Sequence, residues 1–302
     1  MNYYNEIKKE LIDNELNKKV KDYSKNKYEI QKYYNVGKLL LEAGNSYGES
    51  IIKEYSKKLT NELGKKYSIR YLFDMRKLYL FSKVHPLGAQ LTMSHYRLLF
   101  PLTDENEINY YIKQIIKRNL SKRELESIIK SQEYNRLSEK TKTKLIYKTE
   151  LNVVDFVKNP IMIRNNNNNY EIFSEKVLQK LILEDIEYFM NELGSSFCFI
   201  GSEYKIRLGN NFNYIDLLLF NIEYNCYVVV ELKVTELKKE HIGQIQVYMN
   251  YIDENLRKIN QDKTIGIIIC RKDNQYVIEY CSDDRIIARE YEFVWKNNIC
   301  VV

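Results

Sequence analysis

Two stretches, Tyr214-Ile215-Asp216-Leu217-Leu218-Leu219-Phe220 and Tyr227-Val228-Val229-Val230-Glu231-Leu232-Lys233, decide how this chain is read. Both are rich in the β-branched, aromatic and aliphatic residues that favour strands, and both carry charge inside an apolar run. The segment between them, Asn221-Ile222-Glu223-Tyr224-Asn225-Cys226, reads as a turn, so the pair predicts an antiparallel hairpin. With the turn centred between Glu223 and Tyr224, residue i opposes residue 447 − i, and Asp216 opposes Glu231. Two carboxylates facing each other across a sheet repel, and burying either without a partner is costly. A multivalent cation between them is the simplest explanation. Lys233, two residues beyond Glu231, shares its face.

The flanking sequence supplies a frame for this hairpin. Upstream, Ser174 is placed to cap a helix through Val177, Leu178, Leu181, Ile182, Ile186 and Phe189 that ends before Gly194. Downstream, residues 238 to 256 have helical spacing with Gln244, Tyr248 and Tyr251 on one face. Thr264 to Cys270 predicts a short buried strand, and Val277-Ile278-Glu279-Tyr280-Cys281 another. The expected order is α-β-β-β-α-β-β around a mixed central sheet, with the acids on the central hairpin.

An acid, a hairpin and then Glu-x-Lys resembles the PD-(D/E)XK nuclease superfamily, with Ile215-Asp216 in the place of the Pro-Asp pair. Gln244 and Tyr248 form a Gln-x-x-x-Tyr that resembles the helix motif of RecB-type and lambda-exonuclease-type members. More specifically, Phe197-Cys198-Phe199-Ile200-Gly201, Tyr204-Lys205-Ile206-Arg207, the Asp216 strand and Gly243-Gln244 are similar to the nuclease domain of the YhcG-type family. The N-terminal half resembles that family's helical domain through Tyr47-Gly48, Ser68-Ile69-Arg70-Tyr71-Leu72 and Leu91-Thr92-Met93-Ser94-His95-Tyr96-Arg97-Leu98-Leu99. The resemblance implies a restriction-endonuclease-like α/β domain at the C-terminal end of a multidomain chain, after an all-α domain.

Charge divides unevenly between the halves. Residues 1–170 hold 32 Lys and Arg against 20 Asp and Glu, a net of +12, whereas residues 171–302 hold 15 against 21, a net of −6. A basic module beside an acidic one suggests that the first grips a polyanion and the second gathers acids for a metal. Helical spacing in the basic half is clear at Ile7, Leu11 and Leu16, at Val36, Leu39 and Leu40, and from Ile51 to Leu63 before Gly64. Ser68 is placed to cap a further helix running to about Ser82, and Ser121-Lys122-Arg123-Glu124 is a capping box. Helix, glycine turn and helix are compatible with a helix-turn-helix, which would bring Arg70, Tyr71, Arg76 and Lys77 to nucleic acid; any helical hairpin has the same pattern. Asn159-Pro160 and the run Asn165 to Asn169 mark an irregular connector over 141–170, between a helical domain at 1–140 and a nuclease domain at 171–302, and Val153, Val154, Phe156 and Val157 suggest that part of it packs on a domain.

Cys198, Cys226, Cys270, Cys281 and Cys300 lack metal-type spacing and read as reduced thiols. No run approaches a membrane span and the start is not a signal peptide, which suggests a cytoplasmic protein. The 27 tyrosines sit among abundant Asn, Lys and Ile, so composition alone is no sign of base stacking. The resemblance implies Mg²⁺, with Mn²⁺ able to substitute, held by Asp216, Glu231 and the Leu232 carbonyl, with Glu175 as a further acid. It implies a role for Lys233 toward the attacking water and the phosphate, and for Gln244 and Tyr248 in positioning water or backbone phosphate. The expected partners are nucleic acid, DNA ahead of RNA, and a second copy in a homodimer. The competing readings are a silent binding protein that retains the nuclease fold, and an assembly protein that acts through its helical domain.

Overall fold

The computed structural model describes residues 3–19, 25–64, 67–85, 90–165, 174–194, 196–279, 281 and 283–295. The chain separates into two compact units between Tyr134 and Asn135.

The first unit is helical: α1 (Tyr3–Lys19), α2 (Lys25–Tyr47), α3 (Ile51–Leu63), α4 (Ile69–Ser82), α5 (Met93–Leu99), α6 (Glu105–Arg118) and α7 (Lys122–Lys130). Its boundaries follow the local signals. Helix α3 ends on Gly64 in the left-handed region, Ser68 accepts the Tyr71 amide at the head of α4, and Ser121 and Glu124 form the reciprocal box at the head of α7. Buried side chains Ile7, Val36, Leu40, Ile52, Leu59, Leu72, Met75 and Leu78 line the contacts of α1 to α4. Helices α2 and α4 approach so closely that a Cβ at Gly37 would lie 2.1 Å from the Met75 carbonyl oxygen.

The second unit contains α8 (Glu139–Tyr147), a 3₁₀ turn (Val153–Phe156), β1 (Ile161–Asn165), α9 (Glu175–Glu184), α10 (Ile186–Leu193), β2 (Phe197–Leu208), β3 (Asn211–Asn221), β4 (Cys226–Glu236), α11 (Lys239–Asn255), β5 (Ile265–Lys272), α12 (Gln275–Glu279) and β6 (Ile286–Trp295). The strands form one mixed sheet in the order β1-β6-β5-β4-β3-β2. Strands β2, β3 and β4 are antiparallel neighbours, and β4, β5, β6 and β1 run parallel. One face of the sheet packs Val228, Val230, Leu232, Ile267 and Ile269 on Leu178, Leu181, Ile182 and Phe189 of α9 and α10. The opposite face packs Val229, Ile268 and Leu218 on Ile245, Met249 and Ile252 of α11. Gly266 lets α11 settle on β5, since a Cβ there would meet the Met249 sulfur at 2.6 Å.

Three expectations need correction. Val277 and Ile278 lie in the short helix α12, and the strand that follows among the described residues is β6, which begins at Ile286 and buries Ile286, Ala288 and Tyr291; Tyr280 lies outside the described residues. A short apolar run fits a helical turn packed by one side as well as it fits a strand. The helix begun by Ser174 breaks at Asp185, whose carboxylate accepts the Tyr188 amide and starts α10 afresh. The segment expected as a connector is not irregular throughout: Ile161–Asn165 forms β1 and pairs with β6, and Ile161 and Ile163 join Val153 and Val157, whose packing was expected, in the core of this unit. Asn165 ends β1, whereas Asn166 to Asn169 and Cys300 lie outside the described residues.

Candidate active site

The predicted register holds: Leu217 pairs with Val230 and Asn221 with Cys226, along the line i to 447 − i. Asp216 and Glu231 are the next positions along that line. There the carboxylate takes over from the ladder, and Asp216 Oδ2 accepts the Leu232 amide at 2.8 Å. Gln179 of α9 donates to the Asp216 carbonyl at 2.9 Å and fixes the backbone at this point.

Glu231 is only 2% exposed. Its Oε1 accepts from Lys233 Nζ at 2.9 Å and from Gln244 Nε2 at 2.7 Å, whereas its Oε2 is buried with no hydrogen-bond partner. An ionised oxygen left this way is expensive. Burial and then the neighbouring Asp216 raise the Glu231 carboxyl to about 7. Asp216 is also raised, by burial against the opposing pull of the Leu232 amide and Lys233. Burial pulls Lys233 down, but Glu231, Glu175 and Asp216 outweigh it, and its net shift is upward. Lys233 is therefore a charged ammonium among acids.

Helix α11 presents Gln244 and Tyr248 to the site, one turn apart as the spacing required. The Gln244 amide bridges Glu231 and the Tyr248 hydroxyl, 3.2 Å away, and Tyr248 is itself buried. Gln244 thus holds a carboxylate directly, a contact that helical periodicity alone does not reveal. Glu175, at the first turn of α9, is 3.7 Å from Lys233. Among the described residues no three His, Cys, Asp or Glu side chains gather as a metal-holding group. His241 caps α11, its Nδ1 accepting the Lys238 amide.

The orphaned Glu231 oxygen, the raised carboxyls and the adjacent Asp216 make a hard oxygen donor set that fits a divalent cation. In the helical unit, Arg70 and Lys77 are exposed on α4. Arg76 is paired with Glu49, in the turn between α2 and α3, and lies over the Phe73 ring, and Tyr71 is half-buried edge-on against Tyr33. No helix among the described residues is long and apolar enough to cross a membrane.

Residues 154–299 match the YhcG PDDEXK nuclease domain, and residues 6–136 match the DUF1016 N-terminal domain. The Escherichia coli (strain K12) protein named "Putative nuclease YhcG" is 24% identical over an alignment 308 positions long, which covers 86% of this chain and 82% of that protein. Among solved structures, a repair endonuclease from Pyrococcus abyssi is 18% identical with a TM-score of 0.29, over 43% of this chain and 50% of that one. The EndoMS-dsDNA2 complex gives the same identity and score over 43% and 49%. The chain spans about half the length of these two, and so slight a likeness does not carry the family; the two consecutive domain matches do. The chain belongs to the YhcG-type PD-(D/E)XK nuclease family, a DUF1016 N-terminal domain followed by a YhcG PDDEXK nuclease domain.

Proposed function

We propose that this protein is a divalent-metal-dependent nuclease that hydrolyses phosphodiester bonds of DNA. The observation that carries the reading is the buried Glu231 carboxylate with an unpartnered oxygen, placed beside Asp216 and bonded to Lys233. Asp216, Glu231 and the Leu232 carbonyl would hold Mg²⁺ or Mn²⁺. A divalent ion there supplies Lewis acidity toward the phosphate and makes water more acidic.

The chain's own residues do the rest. Lys233, kept protonated by its acidic neighbours, offsets charge that develops on the phosphoryl oxygens and orients the attacking water. Because it is charged, it serves better as an electrostatic group than as a base. Glu175 steadies Lys233, and Gln244, braced by Tyr248, holds Glu231 in place. Arg70 and Lys77, with the excess positive charge of the N-terminal half, provide a grip on the phosphate backbone. Arg76 and Tyr71 support that surface from within the helical unit. Two copies acting together would cut both strands of a duplex.

Incubating the purified protein with supercoiled, linear and single-stranded DNA and with RNA, with and without Mg²⁺ or Mn²⁺, tests the reading. Metal-dependent cutting of at least one DNA form is expected. Inertness toward every DNA form with either metal refutes it.

A further inference from the structure

The distal part of the β2–β3 hairpin carries an arrangement that the catalytic reading does not use. Tyr214 pairs with Lys205 and Phe212 with Arg207, and all four side chains are exposed, the two rings by 52% and 55%. Strand alternation puts Phe212 and Tyr214 in one row, with Arg207 and Lys205 in the adjoining row, and Asp216 follows on the same strand where the alternation breaks between Ile215 and Leu217. Their neighbours Ile206 and Ile215 point the other way, into the core beneath α11. At a strand's rise, Tyr214 lies about 7 Å and Phe212 about 14 Å along β3 from Asp216. Lys205 Nζ sits 3.8 Å from the centre of the Phe212 ring, and Arg207 uses one donor on the Gly209 carbonyl. At the Asp216 end of the hairpin lies a cleft of about 570 Å³ between α9 and β2, whose lining mixes Lys176 and Lys180 with Glu184, Ser202 and Glu203.

We infer that this strip is a binding track for single-stranded nucleic acid, along which unpaired bases stack on Tyr214 and Phe212 while Lys205 and Arg207 meet the phosphates. The inference rests on the nuclease reading and deepens it by naming the form of substrate that lies beside the acids. Exposed rings alone would not argue this, because Tyr147 and Tyr276 are more exposed and lie on helices α8 and α12, not on the strand that bears Asp216. Two rings interleaved with two cations, on the strand that bears Asp216, match both the π-faces and the charge of a nucleic acid strand. Duplex DNA does not fit the rings, since its base faces are covered by their neighbours in the stack. The cation over Phe212 shows that this ring face admits a partner, and Lys205 moves to phosphate when a base takes its place.

The test uses the full chain carrying Asp216→Ala, in chelator, so that binding is read without cleavage. Fluorescence anisotropy compares an oligothymidylate with a blunt duplex of equal length. Replacing Phe212 and Tyr214 together by Leu keeps apolar bulk but removes both π-faces; oligothymidylate affinity should fall about a hundredfold, roughly tenfold per ring. Duplex affinity should change by less than about threefold, and Trp at both positions should restore single-strand binding. Lys205→Gln and Arg207→Gln should each lower the salt slope on the oligothymidylate by about 0.7. Unchanged single-strand affinity, or equal losses on both ligands, overturns the track, provided melting curves show the variants folded, as exposed positions allow. Wild-type cleavage is scored separately: cutting without a ring effect sinks the track alone, and a ring effect without cutting sinks the catalytic reading alone.

Discussion

Replacing Glu231 by Gln should make the metal-free protein more stable relative to wild type, and increasingly so as pH rises. In the folded chain the Glu231 carboxyl is raised from its ordinary 4.5 to about 7, chiefly by burial and then by Asp216. A raised folded pKa means that the native state binds the proton more tightly than the unfolded chain does. The stability it contributes is fully present below about pH 4.5 and is lost as pH rises through about 7. The whole loss is about 3 kcal/mol, of which about 2 falls between roughly pH 5.5 and pH 8.5. For a unit of this size that is roughly 4–8 °C in melting temperature. Gln keeps the shape but cannot ionise, and the bond it loses to Lys233 is a nearly constant offset, because Lys233 stays protonated over this range. Thermal melts of both proteins in chelator, across a pH series, isolate the effect as a difference. That difference should shift in favour of Glu231→Gln with rising pH, and added Mg²⁺ should stabilise wild type far more than the variant. A difference that stays flat, or moves toward wild type, refutes the picture of a buried carboxylate waiting for a cation.

Gln244→Ala should lower turnover about tenfold or more while leaving metal-free DNA affinity and melting temperature nearly unchanged, because it frees Glu231 without opening the core; a fall in melting temperature proportional to the loss of activity would mean that Gln244 only packs. Glu192→Ala should destabilise the second unit by about 3–5 kcal/mol, read by denaturant titration, because Arg136 and Lys158 would stay buried without their acid. A fragment starting at residue 135 should fold, and one starting at 171 should not, since it lacks β1 and the Val153, Val157, Ile161 and Ile163 contacts; circular dichroism of the two decides. In the full chain, Arg70→Glu with Lys77→Glu should weaken DNA binding most at low salt and flatten its salt dependence, without altering single-turnover cleavage at saturating protein.

The hairpin and its acids were legible because a strand's two-residue period leaves little freedom once the turn is placed: Leu217 opposite Val230 follows from Glu223-Tyr224 alone. Helix ends at Gly64, Ser68, Ser121 and Ser174 were legible for a similar reason, as caps act over three or four residues. Strand β1 was not. Its parallel partner β6 lies some 130 positions away, and its five residues stand between a proline and an asparagine run. The break at Asp185 was hidden by apolar spacing that continues through it into α10. Helix α12 was hidden because a five-residue apolar stretch has no period to read. Within the site, sequence placed Gln244 on the correct face but could not show its bond to Glu231, nor that one Glu231 oxygen lacks a partner, since both depend on how α11 seats on β5 over Gly266.

The central claim is that Asp216, Glu231 and Lys233 form one metal-dependent site for phosphodiester hydrolysis. Its most direct test is single-turnover cleavage of DNA by wild type, Asp216→Ala, Glu231→Ala and Lys233→Ala purified in parallel, each with Mg²⁺, with Mn²⁺ and with chelator. Wild type should cut only with metal, and each variant should lose about a hundredfold or more while keeping its fold. Cutting at the wild-type rate by Asp216→Ala or Glu231→Ala, or undiminished wild-type cutting in chelator, would contradict it.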